Sequence, residues 1–256
     1  MTEILQTSLP YAADLARPLP GIAPLPLAEW LMVDEAYGAQ MQERARLLRD
    51  QRADVLAVTP QGAAAAQELL DYVLAWLAEY APGYDIRADQ ATRPDGIKVR
   101  LDHGDPMGTL GHLVQEDLCL LEKQGDEHVL TAAVLCFPAS WRLADKIDRP
   151  LTSIHVPVPE YDAGLARRVQ RLFDGVQVDR PLWRFNALRY ADPKLHQPRA
   201  RLQPRVTGGA DYPYLRSERQ CVLRLPRTRA CVFSIHTFVL DERLQVASGA
   251  ASRRNV

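Results

Sequence analysis

No stretch of about 18 consecutive apolar residues occurs in this chain, so no membrane-crossing helix is expected. The start, Met1-Thr-Glu-Ile-Leu-Gln6, lacks a basic segment followed by an apolar one. A secretory leader is therefore not expected, and the reading is cytoplasmic. Cysteine is scarce: Cys119, Cys136, Cys221 and Cys231 lie far apart and none forms Cys-x-x-Cys. That spacing argues against a zinc site or a ferredoxin-type cluster and favours small buried hydrophobes in a reducing compartment. A charge surplus is missing as well. With 31 Lys and Arg against 32 Asp and Glu, the net charge of −1 gives no general attraction to nucleic acid or to an anionic membrane. Gly-x-Gly-x-x-Gly, the P-loop, Gly-x-Ser-x-Gly and His-Glu-x-x-His are all absent, so no nicotinamide, ATP, serine-hydrolase or zincin reading is offered. Neither an internal repeat nor a low-complexity segment is found.

What remains is a globular composition, 47% hydrophobic and 25% charged, over 256 residues, enough to bury a sizeable core. Residues 1–26, with five prolines from Pro10 to Pro26, read as an arm laid over the body. Leu27 to Asp54 reads as a helical region and Ala63 to Tyr80 as a second helix, with Leu69, Leu70, Val73, Leu74 and Leu77 as its apolar stripe. Ile97 to Leu101 alternates as a strand. Val114–Glu122 and Glu127–Phe137 pair as a hairpin across Lys123-Gln-Gly-Asp126. Pro138 to Asp145 reads as a helical turn or two, and Tyr161 to Val176 as an amphipathic helix carrying Arg167, Arg168 and Arg171. Trp183–Tyr190 reads as a strand and 195–212 as a long loop. Arg219–Leu225 and Ala230–Leu240 form a second hairpin, and residues 241–256 a tail. The expected class is α+β: one domain over 27–240, an antiparallel sheet with N-terminal helices and a long crossing helix.

Six histidines are present, and two are candidate ligands. His155 lies between Ile154 and Val156, and Pro157 and Pro159 push Val156 and Val158 toward extended geometry. The imidazole is thus placed two residues before a stiffened corner, as a fixed iron ligand would be; a hydrogen-bonded core histidine is the competing reading. His236, alternating with Ser234 and Phe238, is the second choice. His103 and His112, in a Gly-rich loop, His128, just after a turn, and His196, in a loop near proline, read as exposed. Glu116 and Asp117 open a strand, and one of them could turn inward to hold a cationic group; charges at a strand end are the alternative. Arg216-Ser-Glu-Arg-Gln220 precedes an apolar strand and reads either as a carboxylate clamp or as a surface ion-pair cluster.

An ordered set of segments then carries a resemblance: Pro24-Leu-Pro-Leu-Ala-Glu-Trp30, Asp34-Glu-Ala-Tyr37 with Arg46-Leu-Leu48, Glu68-Leu-Leu70, Gln115-Glu-Asp-Leu-Cys-Leu-Leu121, Phe137-Pro-Ala-Ser-Trp141 with Lys146, Ile154-His-Val-Pro-Val-Pro159, Arg180-Pro-Leu-Trp-Arg184 with Asn186, Arg216-Ser-Glu-Arg-Gln220 with Leu225-Pro226, and Phe233-Ser-Ile-His-Thr237. Together they resemble the haem-dependent oxidative N-demethylases, typified by the haem-binding α subunit of a dimethylamine-oxidising enzyme.

The resemblance implies a PAS-like antiparallel sheet holding haem b, and O₂ activated at iron to oxidise the N-methyl group of a small amine. It implies His155 as proximal ligand, with His236 in reserve. Arg216 and Arg219 would lie near the haem edge or distal pocket, with Trp141 and Lys146 as further cofactor contacts. Glu116 and Glu218 are the acidic groups expected to meet the substrate amine. Where the family often has Asn-Trp, this chain has Asn186-Ala187, a loss of an indole expected to enlarge a pocket and alter the amine accepted. The alternative, a non-catalytic haem-binding PAS sensor of gas or redox state, is weakened because no linker or output domain is read after Leu240. Without a dinucleotide fingerprint or cluster cysteines, electrons are expected from a separate flavin or iron–sulfur reductase. The arginine-bearing helix is its expected docking face, against the alternative of a merely solvated face; self-association is left open.

Overall fold

Long strands with side chains alternating between two buried faces dominate the second half of the chain, and the first half supplies the helices that cover one of those faces. The computed structural model describes residues 3–12, 21–155, 163–199, 209 and 211–244, with the backbone alone at 155 and 163–166. In chain order come β1 (Ala23–Pro24), a 3₁₀ turn (Leu27–Glu29), α1 (Tyr37–Asp50), α2 (Arg52–Val55), β2 (Leu56–Val58), α3 (Ala63–Tyr80), β3 (Asp85–Ile86), β4 (Gln90–Thr92), β5 (Lys98–Arg100) and α4 (Pro106–Leu113). There follow β6 (Asp117–Gln124), β7 (Glu127–Val134), a second 3₁₀ turn (Leu143–Asp145), α5 (Leu151–His155), α6 (Ala163–Gly175), β8 (Leu182–Tyr190), β9 (Tyr214–Arg224) and β10 (Cys231–Asp241). Seven strands form one antiparallel sheet in the order β1-β8-β9-β10-β6-β7-β2, and β3-β4-β5 form a small separate one. The α+β expectation holds.

Alternation decides which core each residue joins. Leu118 and Leu120 of β6, Leu223 of β9 and Val232 of β10 pack with α1, α3 and α4, on what is called here the N-terminal face. Cys119, Leu121, Val222, Cys231 and Ile235 pack with Leu143, Leu151 and Phe173, on the crossing-helix face. In β7, Leu130 pairs with Leu121 but Ala132 pairs with Leu120, so Thr131 is the extra residue of a bulge. Gly62, at the start of α3, is needed for close approach: a Cβ there would lie 2.6 Å from the carbonyl oxygen of Thr131.

Several expectations need correction. The Leu27–Asp54 region is not one helix but a 3₁₀ turn, an irregular stretch and two helices. Residues 106–113, read as loop because of Gly108 and Gly111, form α4. Asp105 caps it by accepting from the Gly108 N–H, Pro106 starts it, and a Cβ at Gly111 would crowd Leu48 and Val134 at 2.8 Å. Here glycine allows a helix to sit close to its neighbours. β9 begins at Tyr214 rather than Arg219, so Arg216–Gln220 lies within a buried central strand and is no surface cluster. All four cysteines are free and buried; burial pushes their thiols up, to about 12 at Cys119 and Cys136 and about 11 at Cys221 and Cys231.

One buried ion pair ties α1 to the start of β6. Asp117 accepts from Arg44 Nη1 at 2.6 Å and from the N–H groups of Cys136 and Phe137 at 2.7 and 2.8 Å. Arg44 also donates to the carbonyls of Gly111 and Gln115, and is fully buried. Asp117→Ala is expected to cost about 3–5 kcal/mol, because it strands a buried guanidinium and two backbone N–H groups. An unfolding free energy from urea titration within about 0.5 kcal/mol of the parent would show that water reaches them instead.

Candidate functional site

On the crossing-helix face, alternate residues of two paired strands bring five polar side chains together. Arg184 and Asn186 of β8 stand opposite Gln220 and Glu218 of β9, and Arg216 lies one pleat further along. Glu218 Oε2 accepts from Asn186 Nδ2 and from Gln220 Nε2, each at 3.0 Å, while Gln220 Oε1 accepts from Arg184 Nε at 2.9 Å. Arg216 donates to the carbonyls of Phe137 at 2.7 Å and Leu195 at 2.9 Å, with Glu218 Oε1 3.7 Å away. Among the described residues, the buried hydroxyl of Thr237, opposite Glu218 on β10, and the Nε of Arg216 have no partner. Burial pushes the Arg184 guanidinium below its ordinary value, against the pull of Glu218. Two arginines against one carboxylate leave this cluster with a surplus positive charge.

The same side of the sheet carries Trp141, packed into the second core, with Lys146 Nζ 4.0 Å from its ring centre. Leu151 and Ile154 of α5 pack there too, and Thr152 bonds Glu127. His155 is the last residue of α5, and its backbone is helical. Its side chain, and the Val156–Pro159 corner, lie outside the described residues.

Glu116, Arg219 and His236 are on the opposite, N-terminal face. His236 is buried between two carboxylates, with Nδ1 3.0 Å from Glu116 Oε1 and Nε2 3.1 Å from Asp34 Oδ2. Burial by itself would lower its pKa, but hydrogen bonds and charge from Asp34 and Glu116 outweigh this and hold it at about 9. The group is an imidazolium with both nitrogens engaged, which leaves no lone pair for a metal. Arg219 donates to the carbonyls of Trp30 and Glu29. Ala187 also faces this way, packing with Leu9 and Tyr11 against the cluster that holds Phe238. The structure thus brings Trp141, Lys146, Arg216, Glu218 and the helix ending in His155 to one face, and leaves Glu116, Arg219 and His236 on the other.

Of the other histidines, His103 is exposed and His112 and His196 are half-buried, but His128 is buried under α6 against Phe173, contrary to its reading as exposed. Asn186, Gln220, Arg184 and Thr237 received no role from the sequence. The available signal was polar residues at every second position of adjacent strands, which becomes visible only once the pairing is known. Among the described residues no three His, Cys, Asp or Glu side chains converge as a cage for a bare metal ion. An iron held by a macrocycle needs only one or two protein ligands, so that count does not bear on haem. The cluster's chemistry does fit such a group: surplus positive charge and an unpartnered guanidinium nitrogen suit anionic carboxylates such as propionates.

A model of the family described as haem-dependent oxidative N-demethylase, alpha subunit-like, matches residues 21–250. The chain belongs to that family. The match begins just before β1 and runs past β10, so both faces of the sheet belong to the family's body.

Proposed function

We propose that this chain is the haem-binding subunit of an oxidative N-demethylase, acting with O₂ on a small N-methylated amine. The observation that carries the reading is the grouping of Arg184, Arg216, Glu218, Trp141 and Lys146 on the face that also receives α5. His155, at the end of α5, would hold the haem iron. Arg216 and Arg184 would hold the propionates of haem b, and Trp141 with Lys146 would flank the group. When bound, haem would supply the activation of O₂. Glu218, fixed by Asn186 and Gln220, would hold the ammonium form of the amine and orient its methyl group. Glu116 and Arg219, on the far face, take no part in this reading.

A PAS-like classification is part of the proposal. The central strands run β7-β6-β10-β9-β8, that is second, first, fifth, fourth, third in chain order, with α5 and α6 inserted between the second and the third, which supports it. The family's description as an alpha subunit supports work alongside other subunits, here a separate flavin or iron–sulfur reductase. Arg167, Arg168 and Arg171, exposed on α6, are the proposed docking face.

The chain loaded with haem is expected to show a Soret band that shifts when a methylated amine is added. Glu218→Gln should keep the band but weaken the amine-induced shift by at least about tenfold, roughly 1.4 kcal/mol. A chain that takes up no haem, or a shift indifferent to Glu218→Gln, would remove respectively the cofactor or the amine site. NADPH alone should support no oxidation by the isolated chain; turnover under those conditions would overturn the need for a reductase.

A further inference from the structure

On the N-terminal face, away from the proposed haem cluster, a cavity of about 340 Å³ opens between the segment after the first 3₁₀ turn, the end of α3 and the residues leading into β6. Its walls include Met32, Trp76, Tyr80 and Tyr84, and among the described residues Glu116 is its only charged lining residue. Trp76 and Tyr80 meet at 5.6 Å between ring centres, so the wall is partly a continuous aromatic surface.

Glu116 is almost wholly buried. Its Oε1 is used twice, accepting from the Met32 N–H at 2.8 Å and from His236 Nδ1 at 3.0 Å. Its Oε2 is buried with no partner among the described residues. A carboxylate oxygen in that condition is costly, because it has lost water and gained no donor. Asp34 and Glu116 contribute two negative charges and His236 one positive, leaving one negative charge on the trio. Arg93 is paired with Asp95 and Arg44 with Asp117, while Arg219, across the strand pair from His236, donates to two carbonyls and offsets that charge without giving Glu116 a donor.

We propose that this cavity is a binding site for a compact organic monocation bearing at least one N–H. The missing donor to Glu116 Oε2 calls for the N–H, a lining whose charge is one carboxylate calls for a cation, and aromatic faces attract cations while offering nothing to an anion. A divalent metal ion is a poor match, since it would need about six oxygen ligands where the lining offers a single carboxylate. The volume lies near the lower end of the range for ligand sites, roughly 300–1,000 Å³, which selects a small molecule. This assignment is independent of the haem reading, because the cavity and Glu218 lie on opposite faces of the sheet.

The test is calorimetric titration of the full chain, without added haem, using benzylammonium chloride and its neutral counterpart benzyl alcohol. The ammonium should bind at least about tenfold tighter than the alcohol. Glu116→Gln keeps an acceptor for Met32 and His236 but removes the charge, and should abolish that preference. Ala28→Trp, at an exposed position on the rim, should block the cavity without touching the ion trio, losing binding while the melting temperature stays the same. Should Glu116→Gln fail to fold, Ala28→Trp decides alone. Equal binding of ammonium and alcohol, no binding up to the solubility limit, or undiminished binding by Ala28→Trp would each overturn the proposal.

Discussion

His155→Ala protein is expected to fold normally and to lose its Soret band, with haem affinity falling by more than about a hundredfold, roughly 2.7 kcal/mol. The fold should survive because α5 is anchored by Leu151 and Ile154 in the second core and by Thr152 on Glu127, none of which depends on residue 155. Alanine is also the best helix former for the last position of a short helix. The loss should be specific, since the charged cluster around Arg216 offers a propionate partner but no axial nitrogen. Added imidazole should restore a low-spin spectrum in the variant if the cavity it leaves faces iron. An unchanged Soret band in His155→Ala would remove His155 as ligand.

His236→Ala is expected to behave in the opposite way, costing about 3–5 kcal/mol of stability for a reason unconnected with haem. Removing the imidazolium leaves Asp34 and Glu116 facing one another in a buried site. For a domain whose net stability is about 5–15 kcal/mol, that is a large share. Removing all three charges together, as His236→Leu with Asp34→Asn and Glu116→Gln, should recover part of the loss. The pH dependence has a definite sign. The folded-state pKa of His236, about 9, lies above its ordinary value of 6.5. Its contribution is therefore complete below about 6.5 and is lost as pH rises through 9, a decline on the order of 3 kcal/mol. Urea midpoints that fail to fall between pH 7 and 10, or that fall equally in His236→Ala, would show that the trio is not ionised in this way.

The sequence alone determined the elements whose signals are local. Ala63–Tyr80 is a helix because apolar residues recur at three- and four-residue spacing across eighteen positions without a breaker. Glu127 turns back on Gln124 because a glycine-bearing turn separates two apolar runs. The family, too, was legible in the order of short segments along the chain. Pairing and partition were not. Gly108 and Gly111 read as loop because their helix is held by contacts with Leu48 and Val134, and propensity cannot anticipate such contacts. Arg216-Ser-Glu-Arg-Gln220 leaves a clamp and a surface cluster both open because five polar residues in a row rarely enter a core; here backbone carbonyls from 29, 30, 137 and 195 accept from the two arginines, with Arg216 Nε left over. Only the tertiary structure decided that Glu218 and Arg216 share a face with α5, while Glu116, Arg219 and His236 share the other. The reason is geometric: neighbours in a strand point opposite ways, so Arg219 and Glu218, adjacent in sequence, stand on different sides of the sheet.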